Sequence, residues 1–235
     1  MKLLSIVIPA YNEAAYIGDL LRSIAQVDTR ALGFEKEVLV VNDGSTDSTE
    51  AIARSFAPTG VKCFNQVPNR GKGRAVQRGI SEAAGDYILV QDADLEYDPA
   101  DYLPMLVALR TGADSIYGSR VRGQPWPGKH PDQGVGPWFA GVVLSVWTLL
   151  LYGRWISDTL TAYKLYPAKV LKEMNLQTSG FETDHEITAK LFRAGFKIAE
   201  VPISYHPRSK AEGKKIKPRD GWIAIWTLLK FRFKT

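Results

Sequence analysis

Cysteine is almost missing from the 235 residues: Cys63 stands alone, so no internal disulfide can form, which fits a reducing compartment. Histidine is scarce as well. His130, His185 and His206 show no metal-ligand spacing and support no nucleophile triad. No Gly-X-X-X-X-Gly-Lys run is present, which excludes a Walker phosphate loop. No secretory leader is legible, because the apolar run over residues 1–9 is short and charged Glu13 follows without a small-residue cleavage site. Nor does a nucleic-acid-binding motif accompany the basic residues, so nucleic acid is not expected as a partner.

What the chain does have is enough apolar material for a core, at 45% hydrophobic residues, and a net charge of +5 that is unevenly placed. Arg208, Lys210, Lys214, Lys215, Lys217 and Arg219 fall close together with only Glu212 against them. Such a cluster attracts phosphates, from a substrate or from an anionic lipid surface, although a solvated loop has the same composition.

Short β-branched runs at residues 4–8, 38–41, 61–64, 87–90 and 115–117 alternate with helix-like segments. Residues 13–25 place Ile17, Leu20, Leu21 and Ile24 on one stripe, and residues 72–84 do the same with Ala75, Val76, Gly79 and Ile80. The alternation predicts an α/β fold, a mostly parallel sheet flanked by helices. Residues 133–153 carry no charge. Their continuous apolar part, residues 138–152, makes a helix of about 22 Å, short of a hydrocarbon core of about 30 Å, which favours a buried or interfacial segment over a span. The final stretch, residues 221–235, mixes Trp222, Ile223 and Trp226 with Lys230, Arg232 and Lys234 and suits either a membrane interface or a helix docked on the core.

Ligands of open parallel sheets bind beyond the carboxyl ends of strands, and here those ends are acidic. The first strand runs into Pro9-Ala10-Tyr11-Asn12-Glu13, the second into Asn42-Asp43-Gly44, and the fourth into Asp92-Ala93-Asp94-Leu95-Glu96. A diphosphate meets two carboxylates only through a divalent cation, and Asp92, Asp94 and Glu96 offer the oxygen ligands that Mg²⁺ or Mn²⁺ accepts. A polar turn ending at Asp98-Pro99 would look similar. Asn69-Arg70-Gly71-Lys72-Gly73 is either a phosphate-binding loop at a helix start or a plain turn.

These motifs, in this order and covering nearly the whole chain, resemble the inverting glycosyltransferases of family two, which have the GT-A fold. Gly118-Ser119-Arg120, Ser157-Asp158-Thr159 and Val201-Pro202-Ile203 through Arg208 to Lys215 are similar to the branch of dolichol-phosphate mannose synthases and polyprenyl-phosphate glucosyltransferases. The resemblance implies a GT-A domain over residues 1–220 followed by an amphipathic membrane-interface segment. It implies a nucleotide-sugar site of Pro9, Ala10, Tyr11, Glu13, Asp43, Gly71, Lys72, Asp92, Ala93 and Asp94, with Mg²⁺ or Mn²⁺ on Asp92, Asp94 and Glu96. It places Ser119, Arg120, Arg208, Lys214 and Lys215 at the phosphate of a polyprenyl or dolichyl acceptor, with Asp94, Asp158, Arg120 and Arg208 carrying the catalysis. Two departures leave the donor open: Glu96 stands where a glutamine is common, and Thr161-Ala162-Tyr163-Lys164 replaces a Gly-Phe-Arg type of sequence.

An ionised lipid phosphate needs alignment and charge neutralisation rather than a base, consistent with the shortage of histidine. A hydroxyl acceptor would need one, and Asp184 in Glu182-Thr183-Asp184 is the candidate, unless it caps a helix. A sugar nucleotidyltransferase would show a glycine-rich loop after the first strand, which Pro9-Ala10-Tyr11-Asn12-Glu13 is not; a non-catalytic nucleotide-binding protein stays open. If residues before and after the 138–152 segment build one site, that segment must return or lie flat, which places the protein peripherally at the cytoplasmic face of a membrane, alone or with a membrane-protein partner.

Overall fold

The computed structural model describes residues 1–208 and 218–234. Seven strands form one sheet: β1 (Lys2–Ala10), β2 (Phe34–Asn42), β3 (Val61–Asn65), β4 (Tyr87–Val90), β5 (Ser115–Ser119), β6 (Lys164–Pro167) and β7 (Ile198–Pro202). Their order is β3-β2-β1-β4-β6-β5-β7, and every pairing is parallel except those of β6, which runs antiparallel between β4 and β5. The helices are α1 (Ile17–Gln26), α2 (Thr49–Ser55), α3 (Lys72–Glu82), α4 (Tyr102–Ala108), α5 (Val135–Tyr152), α6 (Ala168–Glu173), α7 (Thr183–Arg193) and α8 (Pro218–Phe233).

β1 is central and covered on both sides, so it is apolar almost throughout. Its alternate residues serve opposite faces: Leu4, Ile6 and Ile8 pack with α1 residues Ile17, Leu20, Leu21 and Ile24, whereas Val7 packs with Val76 and Ile80 of α3. The expected helical stripes are therefore the two sides of the core. α3 comes so close to the sheet that a Cβ on Gly79 would lie 2.1 Å from Val7 Cγ1.

The antiparallel β6 has no counterpart in the sequence reading, because Lys164-Leu165-Tyr166-Pro167 offers neither alternation nor an apolar run. It inserts between the two halves of the sheet, and it brings the carboxyl ends of β4 and β5 to either side of its first residue.

α5 begins at Val135, three residues earlier than expected, since Pro137 falls in its first turn, where proline costs no hydrogen bond. Its 18 residues are apolar and long enough by composition to cross a membrane. A single crossing is nevertheless incompatible with the chain path: Arg120 before the helix and Asp158 after it are hydrogen-bonded at 2.8 Å. α8 docks on α5 and α7 through Ala224, Leu228 and Phe231 against Leu144 and Ala189. Trp147 Nε1 donates to the Ile225 carbonyl at 3.1 Å and Tyr152 Oη to that of Leu228 at 2.6 Å. The outer faces of both helices stay apolar and exposed, with Phe139 and Leu150 on α5 and Trp222 and Trp226, 74% and 64% exposed, on α8.

Candidate active site

The acidic strand ends meet on one side of the sheet. β1 and β2 run in register to Ala10 and Asn42, one residue before Tyr11 and Asp43. Pro9 pairs with Val41, and Ala10 is buried while Tyr11 stands partly exposed at the rim. Buried Glu13 begins the next turn, its amide donating to Thr49 Oγ1 at 2.8 Å.

Asp43 shapes the glycine-rich loop. Its Oδ1 accepts from the Arg70 amide and its Oδ2 from the Gly71 amide, both at 2.8 Å, and Gln66 Nε2 donates to Oδ1 at 2.6 Å. Gly71 has φ +94°, and a Cβ there would lie 2.6 Å from the Ser179 carbonyl oxygen; one on Gly73 would lie 2.0 Å from Thr183 Oγ1. Both glycines thus admit residues 179–183 against the start of α3. That packing aims Lys72 at the cleft, where its Nζ pairs with Asp92 at 2.6 Å. Burial opposes its charge, but Asp92, Asp184 and Asp94 outweigh burial and hold the ammonium above the ordinary lysine value.

Buried Gln91 fixes the turn after β4: its Oε1 accepts from Tyr102 Oη at 2.7 Å and Tyr163 Oη at 2.6 Å. Ala93 and Asp94 are both buried. Asp94 is pushed up to about 7, first by burial and then by the neighbouring Asp92 charge, against the pull of Arg208. The Arg208 guanidinium lies among the acids, with Nη2 at 2.6 Å from Asp94 Oδ2, Nη1 at 3.0 Å from Glu13 Oε2 and Nε at 3.8 Å from Glu96. Glu96 Oε1 also accepts from the Arg208 amide at 2.9 Å. Arg208, expected at an acceptor's phosphate, lies here against the acidic ends of the first and fourth strands.

Among the described residues no group of three or more His, Cys, Asp or Glu side chains is disposed around one point to hold a metal. Of the three expected ligands, Glu96 accepts from the Arg208 amide, Asp94 pairs with the Arg208 guanidinium and Asp92 with Lys72. Asp92 and Asp94 still fit a hard divalent ion: both are carboxylates on one turn, they crowd each other electrostatically, and two cations, Lys72 and Arg208, are paired with them. Mg²⁺ is commonly held by one or two carboxylates with substrate phosphates filling its other positions.

A second centre adjoins the first. Arg120, just past β5, is buried, and its Nε and Nη2 donate to the two oxygens of Asp158 at 2.8 Å each, while its amide donates to Asp158 Oδ2 at 3.0 Å. Burial would raise the Asp158 carboxyl, but Arg120 holds it below the ordinary value. The guanidinium carbon lies 4.8 Å from the centroid of the Tyr205 ring. Ser119 Oγ and Ser157 Oγ are 2.7 Å apart, and Glu200 accepts from the Ser157 amide at 2.9 Å. Lys214 and Lys215 lie outside the described residues.

Asp184 falls in the first turn of α7, whose N-cap is Glu182, so it is not the cap. It faces the lysines, contributing to the electrostatics of Lys72 and Lys164. His185 beside it is buried, which drives its pKa down to about 3, and among the described residues neither ring nitrogen has a hydrogen-bond partner. The sequence reading missed Gln91, Tyr97, Lys164, Glu200 and Tyr205. A lysine inside the apolar string Ala162-Tyr163-Lys164-Leu165-Tyr166 was the one signal available.

The family model described as glycosyl transferase family 2 matches residues 5–135. The dolichol-phosphate mannosyltransferase of Pyrococcus furiosus is 30% identical over 89% of this chain, which spans 58% of that protein. The human dolichyl-phosphate beta-glucosyltransferase is 27% identical over 95% of the chain and 72% of its own length. A crystal structure of glucosyl-3-phosphoglycerate synthase from Mycobacterium tuberculosis, in complex with Mn²⁺, UDP and glucosyl-3-phosphoglycerate, aligns with a TM-score of 0.70 at 22% identity over 98% of this chain and 80% of that one. The fold is of the GT-A type. With the family model covering more than half of its length and the acidic strand ends gathered at one site, the chain belongs to glycosyl transferase family 2.

Proposed function

We propose that the protein transfers a hexose, with inversion, from a nucleotide-sugar of the GDP-mannose or UDP-glucose type to a polyprenyl or dolichyl phosphate, using Mg²⁺ or Mn²⁺. The observation that most supports this is the buried Arg120–Asp158 pair beside the Asp92–Asp94 turn, a cation held by two guanidinium hydrogen bonds and steadied by a third from its own amide where a second anion would arrive. Dolichol-phosphate transferases among the relatives agree with it.

In this reading Glu13, Asp43 and the β1 and β2 ends receive the nucleoside, and Lys72 faces the diphosphate. Asp92 and Asp94 hold the cation, which when bound neutralises the diphosphate and stabilises it as a leaving group. Arg120, fixed by Asp158, meets the acceptor's phosphate. A phosphate oxygen forms the bond to the anomeric carbon as the bond from that carbon to the nucleoside diphosphate breaks. The acceptor is already ionised, so no proton has to be removed. Arg208 offers a further cation to either phosphate once it leaves the acids.

A hydroxyl acceptor with Asp184 as base is the second reading, favoured by the place of Asp184 at the start of α7, beside Lys72, and not in a cap. The exposed apolar faces of α5 and α8, with Arg154, Lys230 and Arg232 near their ends, suit a peripheral position on the cytoplasmic face of an anionic membrane. Incubation with Mn²⁺ or Mg²⁺, a panel of nucleotide-sugars and a polyprenyl phosphate, followed by the mass of the lipid, tests the reading. A hexosyl monophospholipid is expected; folded protein that makes none with any donor contradicts it.

A further inference from the structure

Lys164 opens the antiparallel strand β6 and is wholly buried, with 0% exposure. Its backbone pairs with Val90 at the end of β4 and with Tyr117 of β5, so it stands between the Asp92–Asp94 turn and the Ser119–Arg120 turn. Nζ donates to the Thr159 carbonyl at 3.2 Å and lies 5.1 Å from the centroid of the Tyr117 ring. Among the described residues no carboxylate oxygen comes within ion-pair distance of it.

This is a costly place for an amine. Burial holds its pKa below the ordinary lysine value, against the pull of Asp184 and Asp158. Its sheet neighbours Val90, Tyr117, Tyr163 and Leu165 are apolar or aromatic, and a methionine of similar volume would fill the position without the loss of hydration. The fold has no evident use for the amino group; the residue it holds does. Thr159 follows Asp158, whose carboxylate carries Arg120. The same turn is gripped from its other end by Glu200, which accepts from the Ser157 amide at 2.9 Å and the Asp158 amide at 3.2 Å. Glu200 takes the leading amides and Lys164 the trailing carbonyl.

We propose that Lys164 is a positioning residue for the acceptor: it clamps the turn of residues 157–159 so that Asp158 presents the Arg120 guanidinium to the acceptor's phosphate. The proposal rests on the assignment of Arg120 made above.

The test compares wild-type protein, Lys164→Met and Lys164→Arg. Melting temperature is measured, as is binding of a nucleoside diphosphate with Mn²⁺ and of a short-chain isoprenyl phosphate to the nucleotide-loaded protein. Lys164→Met is expected to melt no lower than wild type and to bind nucleotide within twofold, yet to bind the isoprenyl phosphate about tenfold more weakly, with Lys164→Arg recovering most of the loss. Isoprenyl phosphate affinity within twofold of wild type in Lys164→Met overturns the proposal, and so does an equal loss for nucleotide and phosphate. Should Lys164→Met fail to fold, Lys164→Arg decides: phosphate affinity within threefold supports the clamp, and a tenfold loss with nucleotide binding intact overturns it. A wild type that binds nucleotide but no isoprenyl phosphate removes the Arg120 assignment and this proposal together; binding by wild type and Lys164→Met with affinities within twofold of each other removes this proposal alone.

Discussion

Arg208 and a divalent cation would both be drawn to Asp94. The guanidinium lies against Glu13, Asp94 and Glu96 at 3.0, 2.6 and 3.8 Å. A metal ion must therefore displace it or share the site. Replacing Arg208 with methionine leaves these acids without their cation, so Mn²⁺ alone is expected to raise the melting temperature of the variant more than that of wild type. Equal shifts in the two proteins would show that Arg208 and metal do not compete. Asp92 and Asp94 stood out in the sequence only because the ends of the first and second strands are acidic as well; an Asp-X-Asp turn by itself is common. Tyr97 and Lys164 did not, since what they do depends on partners far along the chain: the Tyr97 ring stacks on Tyr163 at 4.8 Å and meets Tyr205 at 5.6 Å.

At the scale of elements, the start of α7 and the loop before it form the wall against which α3 aims Lys72. Glu186 holds that loop: it accepts from the Gln177 amide at 2.9 Å, the Thr178 amide at 2.8 Å, Thr178 Oγ1 and Lys190 Nζ. Burial alone would raise its pKa, but these hydrogen bonds outweigh it and hold the carboxyl below the ordinary value. A lowered pKa in the folded state means that the carboxylate stabilises the fold above the unfolded value of about 4.3, and that this contribution disappears as pH falls through the folded value. Glu186→Gln is accordingly expected to cost about 2 kcal/mol at pH 7, with melting curves of variant and wild type converging as pH falls below the unfolded value. A pH-independent gap would contradict it. β1 to β5 and the stripes of α1 and α3 were readable because each carries its own periodicity, whereas β7 was not among the runs the sequence offered. β6 was not readable either, because a four-residue strand with a buried lysine and a terminal proline acquires its conformation from the strands on either side of it.

The whole molecule joins a polar cleft to an apolar flank. Arg120 and Asp158, on either side of α5 in the sequence, are hydrogen-bonded, so α5 cannot make a single crossing that separates them. Trp222 and Trp226 project from α8 beside the exposed face of α5. Flotation with anionic vesicles is expected to carry the wild-type protein, and Trp222→Ser with Trp226→Ser to reduce that binding at least fivefold while melting is unchanged. Undiminished flotation would place the contact elsewhere. The central claim is that the cleft serves an acceptor bearing a phosphate. Parallel reactions with a polyprenyl phosphate and the corresponding polyprenol, under the same donor and metal and read by product mass, test it most directly. A lipid heavier by one hexose from the phosphate alone is the predicted result; glycosylated polyprenol, with the phosphate left unchanged, would contradict it.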